Sequence, residues 1–410
     1  MEFKFITMIK KIFFSFSIIA LSTQLSSAQN TGITLGGQDT ERNPITTATP
    51  FLTISPDARS GGMGDVGAAI SPDANSIFWN PAKLAFAEKN MGVAISYTPW
   101  LRKLVNDMSL SYLSAYKKLR KEEAIGVAMN YFNLGNITFT DINGNVMQDF
   151  RPKEFSFTGC YSRQLSKTLG VAVGLKYIHS NLSGNISINS GGSTTSAKPG
   201  NTAAGDIGIY FNNDYIISGT NTNIALGAML SNLGAKISYT NSSQKDFIPT
   251  SLRIGTAVTT ELDPYNKLVF AIDANKLLVP TPPLRDSADP TVIVKGKDPE
   301  RSLLSGVFGS FADAPGGFKE ELREVIISGG VEYWYNDLFA VRGGYFYENP
   351  HKGNRKYFTL GFGIRYQVFG LDFAYLVPVR SNNPLAETLR FTLHFNFESK
   401  SQRDIETITE

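Results

Sequence analysis

Tyr357–Tyr366 reads YFTLGFGIRY, and its alternation decides the fold. Phe358, Leu360, Phe362, Ile364 and Tyr366 share one parity; Tyr357, Thr359, Gly361, Gly363 and Arg365 share the other. A period of two puts each set on one face of a β-strand. One face is greasy, and the other carries small, polar and charged residues. The same division recurs with Phe391, Leu393, Phe395 and Phe397 against Arg390, Thr392, His394 and Asn396. It recurs again with Leu252, Ile254 and Val258 against Arg253, Gly255 and Ala257, and with Ile207, Ile209 and Phe211 against Asp206, Gly208 and Tyr210.

Working outward, about fourteen segments alternate this way, each near the ten residues that a tilted strand needs to cross a bilayer. They are 91–98, 106–116, 122–133, 152–164, 169–180, 203–213, 222–231, 249–260, 265–275, 323–335, 338–347, 355–367, 369–378 and 386–397. Short connections such as 117–121, 165–168, 261–264 and 336–337 alternate with long ones, 276–322 being the longest. The connection 214–221 is long for the short set. Outer-membrane barrels have an even strand count, short periplasmic turns and long outer loops. The fold class expected is therefore all-β, a transmembrane antiparallel barrel. A soluble sandwich would alternate too, but would not explain the even count and the loop asymmetry together with a secretory signal. Tyr97, Trp100, Tyr131, Tyr333, Trp334, Tyr335, Tyr345 and Tyr347 fall near strand ends, as interfacial girdles do. Arg253, Asp206, Lys176, Asp273, Glu332, Arg342, Arg365, Asp372 and Arg390 fall on the lumen parity, where they would pair with one another or with plug residues.

The signal lies at the start. Lys4, Lys10 and Lys11 precede an apolar run, Ile12–Leu21, and Ser26 and Ala28 have the spacing of a signal-peptidase site. The run is too short for a transmembrane helix. Residues 1–28 are expected to be removed, leaving a polar leader at 29–49. Losing Lys4, Lys10, Lys11 and Glu2 takes 39 basic and 36 acidic side chains to 36 and 35, a formal charge of about +1 that points to no nucleic-acid partner. Cys160 is the single cysteine, so no internal disulfide forms. His179, His351 and His394 lack ligand spacing, so no metal or other cofactor is expected. No catalytic triad order places itself, and no enzymatic activity is expected.

Pro50–Phe86, PFLTISPDARSGGMGDVGAAISPDANSIFWNPAKLAF, fits neither a strand nor a clean helix. Gly61, Gly62, Gly64 and Gly67 allow tight turns, and Asn80-Pro81 pins another just after Trp79. Gly62, Gly64 and Gly67 spell a dinucleotide fingerprint, but Pro56, Asp57 and Arg59 precede it where a buried strand is required. This segment is read as a plug inside the barrel, with Asp57, Arg59, Asp65, Trp79, Asn80 and Pro81 among its contact residues. Gly61–Gly67 are expected at the mouth or in the lumen on the periplasmic side. Of the long loops, 181–203 is Ser-, Gly- and Asn-rich and expected to be mobile. The loop 276–322 carries Leu303, Leu304, Val307, Phe308 and Phe311 and a charged, helix-capable stretch at 317–324. Those apolar residues are either a protein-contact surface or a cap folded onto the barrel mouth.

The stretches PDARSGGMGD (Pro56–Asp65) and SIFWNPAKLAF (Ser76–Phe86) resemble the PorV family, outer-membrane proteins of the type IX secretion system of Bacteroidetes. The Asn80-Pro81-Ala82 turn is also similar to that of the wider FadL family of hydrophobic-compound transporters. The resemblance covers nearly the whole mature chain. It implies a fourteen-stranded FadL-like barrel over 87–397 with an N-terminal hatch at 50–86, integral to the outer membrane and in contact with its lipid. It implies a shuttle that receives cargo from the translocon barrel by the cargo's C-terminal signal domain. Delivery is to a cell-surface attachment complex containing the sortase PorU, and a link to lipopolysaccharide processing is suggested for the family. The alternatives are a FadL-like transporter of hydrophobic small molecules and a PorQ-like partner barrel. The polar tail 398–410, beyond the last aromatic strand, departs from the usual barrel end.

Overall fold

Fourteen antiparallel strands close on themselves in the computed structural model. It describes residues 42–398 except 141–143, 185–186, 191–192, 241–244, 380–383 and 386–387, so the signal, most of the leader and the polar tail lie outside it. The strands are β1 (Met91–Pro99), β2 (Ser109–Arg120), β3 (Glu123–Asn133), β4 (Lys153–Gln164), β5 (Leu169–Asn181), β6 (Gly200–Ile217) and β7 (Thr220–Gly234). They continue with β8 (Ser251–Asp263), β9 (Asn266–Leu277), β10 (Ile326–Tyr335), β11 (Phe339–Tyr347), β12 (Lys356–Tyr366), β13 (Phe369–Pro378) and β14 (Leu389–Phe397). Each pairs with its sequence neighbour, and β1 closes on β14 from Met91 opposite Phe397 to Tyr97 opposite Phe391. Closure leaves no unpaired edge, which lipid would not tolerate.

The expected strands all appear, with ends within a few residues of those read from alternation. The largest gain in length is at β6, which runs on to Ile217 and meets β7 through Ser218 and Gly219, at φ 54° and 81°. Two positive φ values mark the tight hairpin turn that matches strand twist. The long connection expected at 214–221 is thus mostly strand. Asn336-Asp337, at φ 52° and 50°, makes the same kind of turn between β10 and β11. The loop at 181–203, expected to be mobile, carries a two-stranded hairpin, Ser187–Ser190 with Ser193–Ser196.

Parity behaves as read. Phe358, Leu360, Phe362, Ile364 and Tyr366 point outward, Leu360 being 60% exposed, while Tyr357, Thr359 and Arg390 are buried inward. In the bilayer that exposed face meets acyl chains. Trp334 and Trp100 depart from the expected girdle. Trp334 has lumen parity and lies under the guanidinium groups of Arg342 and Arg365. Trp100 packs into the buried clusters at the long-loop end. Closeness to a strand end does not decide the side; parity and loop folding do.

Leu360→Arg, at the middle of β12, is expected to cost roughly 2–4 kcal/mol in reversible folding into bilayers, as for a cation at the midplane of a lipid-facing wall. Cysteine scanning with a lipid-soluble reagent should label position 362 and spare position 365; the reverse would break the register.

Candidate functional site

Two features occupy the barrel beyond its wall: a segment threaded through the lumen and a structured platform on the long-loop end. The threaded segment enters at the long-loop end. There Asn43 bonds His351 O, Pro282 O and Glu320, and Ala48 N donates to Phe247 O. The described part of the leader is therefore held in place. Phe51 then buries against Leu110, Phe132, Ile178 and Ile248, a contribution of about 1.5–3 kcal/mol. The chain descends past mid-lumen to Ala87 and emerges at the short-turn end, where β1 begins.

Asp57 caps the one-turn helix α1 (Ala58–Gly62) by accepting from Ser60 N, and its other oxygen accepts from Trp79 Nε1 at 2.6 Å. This fixes the two halves of the segment to each other. Arg59 reaches the wall, bonding Glu332 at 2.8 Å and 3.0 Å, with Ser71 and Asp73 taking its remaining donors. Glu332 also accepts from Arg342, which bonds Asp372; Asp372 in turn meets Arg365 and His394. Asp65 joins Arg390 and Tyr357, each at 2.6 Å. Asp273 accepts the amides of Gly67 and Ala68.

Backbone meets wall where the wall has no side chains. A Cβ on Gly344 would lie 2.1 Å from the Met63 carbonyl carbon, and one on Gly330 would lie 2.3 Å from its oxygen. Gly64 sits at φ +74°, where only glycine is unstrained, and its amide bonds Thr359. Gly61 lies against Arg390, Gly62 against Gly361, and Gly67 under the Trp79 ring. Their wall partners lie in the middle and long-loop half of the strands. Gly61–Gly67 are thus not at the periplasmic, short-turn mouth as expected, because the chain is anchored at the opposite end and must still descend to Met91. The short-turn end is filled instead by Pro81–Phe86. Asn80 Oδ1 caps Ala82 N, its Nδ2 donates to Ala68 O and Ile209 O, and Ala82 O accepts from Ser162. Lys83, which periodicity did not single out, is buried and donates to Gly67 O at 2.7 Å.

The platform is built in 276–322 and the residues just after it. Helix α2 (Leu303–Gly309) turns Val307 inward and leaves Leu304 and Phe308 outward at 58% and 73% exposure; Phe311, just after it, is 49% exposed and Leu303 is half-buried. Helix α3 (Phe318–Arg323) adds Phe318 and Leu322 to the exposed set. Only Val307 folds down fully; the other four sequence-selected residues do not cap the mouth as a group. Beneath lies an ion network that no local pattern reveals, since its members are distant in sequence. Lys276 meets Glu321 and Glu324, Lys352 meets Glu320 and Glu324, and Arg301 meets Asp313. Burial raises the Glu320 and Glu321 carboxyls, but hydrogen bonds from Lys352 to the first, and from Ala314 N and Lys276 to the second, hold both below their ordinary value. Burial pushes the Asp313 carboxyl up.

The family profile described as "Type IX secretion system protein PorV" matches residues 37–284. No curated protein sequence matches the chain. Similar solved structures include the CymD monoaromatic hydrocarbon channel, 14% identical with TM-score 0.47, covering 84% of this chain and 98% of that one. The Ralstonia pickettii toluene transporter TbuX is 10% identical with TM-score 0.45, covering 83% and 98%. The Pseudomonas putida toluene transporter TodX is 13% identical with TM-score 0.45, covering 82% and 95%.

Glu332→Gln leaves Arg59 and Arg342 without their shared carboxylate, and removing one member of a buried pair costs about 3–5 kcal/mol. Hydrogen exchange at Ala58–Gly64 should accelerate accordingly while the strand amides stay protected. In planar bilayers the intact protein should conduct weakly, and deletion of 50–86 should raise conductance; a large steady current from the intact chain would refute closure.

Proposed function

The chain belongs to the family of the type IX secretion system protein PorV, and from that premise we propose that it is the carrier between translocation and surface attachment. It receives cargo by the cargo's C-terminal signal domain from the translocon barrel and passes it to the attachment complex with the sortase PorU. It is an integral outer-membrane protein acting in type IX secretion, and on this reading it moves cargo without altering it chemically. The observation that carries the reading is the platform. Leu304 and Phe308 on α2, Phe311 just after it, and Phe318 and Leu322 on α3 stand exposed, and α3 is held by ion pairs from Lys276 and Lys352 to Glu321 and Glu320. Exposed apolar patches on a rigid base mark protein contacts, and a pre-ordered surface loses less entropy on binding. The lumen is filled by 50–86, which disfavours a conduit, and the outer wall is taken by lipid.

Leu304→Asp combined with Phe308→Asp should weaken capture of a cargo signal domain by at least about tenfold, because buried apolar anchors dominate such contacts. Heat-modifiable gel mobility should stay normal, since surface changes rarely unfold a barrel. Full cargo recovery by the folded double variant would remove this platform from the contact surface and point to the hairpin loop at 181–203. Uptake of a hydrophobic small molecule into vesicles, sensitive to the plug deletion alone, would favour the transporter alternative.

A further inference from the structure

Between the threaded segment and the wall, in the long-loop half of the lumen, lies a chamber of ≈ 70 Å³. Its polar lining includes Asp65, Arg253, Asp273, Asn275 and Arg390, and Trp79 and Trp100 form part of its apolar lining. Arg59, Arg342, Arg355, Arg365 and Arg390 each have a carboxylate partner. Arg253 differs. Its guanidinium sits 4.3 Å from the Trp79 ring centre and forms no hydrogen bond or ion pair among the described residues; Nη1 is buried with no acceptor. Arg390 gives Nη1 to Asp65 and leaves Nε buried and unpartnered. Asp273 supplies no direct partner: Oδ2 holds the amides of Gly67 and Ala68, and Oδ1 is turned toward Gly255. Arg253 is half-buried, and a cation partly withdrawn from water without a hydrogen-bonded partner is disfavoured.

We propose that this chamber binds a small monoanion of the carboxylate type, held between Arg253 and Arg390. Of the three arginines that line the chamber, Arg355 is engaged by Glu348, and the guanidinium groups of the other two suit a planar, two-oxygen acceptor. The amide of Asn275, whose orientation follows its surroundings, turns its nitrogen to the anion. Water fills the remaining space and reaches Asp273 Oδ1. The site straddles segment and wall. Arg253 of β8 lies on Trp79 of the segment, and Arg390 of β14 holds its Asp65. An anion joining the two arginines therefore adds a link between wall and segment, so occupancy fastens the segment in its seat. This inference is independent of how cargo is handled at the platform.

The test uses the full-length protein in detergent with bromide as the probe. Bromide quenches tryptophan on contact, and Trp79 and Trp100 line the chamber while Trp334 does not. Saturable quenching that acetate competes away, with affinity at least about tenfold weaker in Arg253→Gln, is the expected result. Linear quenching, equal in both proteins and matched by neutral acrylamide, would overturn the proposal. Should Arg253→Gln fail to fold, anomalous scattering from bromide-soaked crystals of the native protein decides. Bromide bonded to Arg253 supports the site, and water there refutes it. Bromide present in the crystal without acetate competition in solution means an adventitious ion only, and likewise overturns it.

Discussion

The alternating charges Arg59, Glu332, Arg342 and Asp372 hold the centre of this barrel together. A closed sheet in lipid satisfies every strand amide and carbonyl by itself, but it says nothing about the polar side chains that alternation turns inward. Glu332 and Arg342 are almost wholly screened from water. Each needs its partners, because an unpaired buried charge costs far more than a paired one. Arg59 adds a second guanidinium to Glu332 from outside the sheet. The wall and the threaded segment are thus coupled: the segment has too little apolar surface to fold alone, and Glu332 and Arg390 of the wall each take a partner from it.

Size and shape follow from the same requirement. The wall presents Gly330, Gly344 and Gly361 where Gly62, Met63 and Gly64 press against it, so backbone packs on backbone. The result is a lumen occupied by the segment, with small chambers left between segment and wall. Of the two apolar helices at the long-loop end, α3 is tied to the rim by Lys276 and Lys352.

The boundary between what was readable and what was not runs along sequence distance. Period-two alternation is local, so the sequence by itself determined the strands, their lipid and lumen faces and their even number. It also set the inward parity of Glu332, Arg342, Asp372 and Arg390. The glycines and the Asn80-Pro81 turn marked 50–86 as something enclosed, since such small residues cannot build a core of their own. Tertiary structure decided the rest. Nothing local says that the segment starts at the long-loop end, because that depends on Asn43 meeting His351 and Pro282. Nothing local pairs Lys276 with Glu324, or leaves Arg253 without a carboxylate while Arg390 finds Asp65. Those outcomes depend on which side chains closure of the sheet brings within hydrogen-bonding distance, and a closed barrel sets those distances between residues hundreds of positions apart.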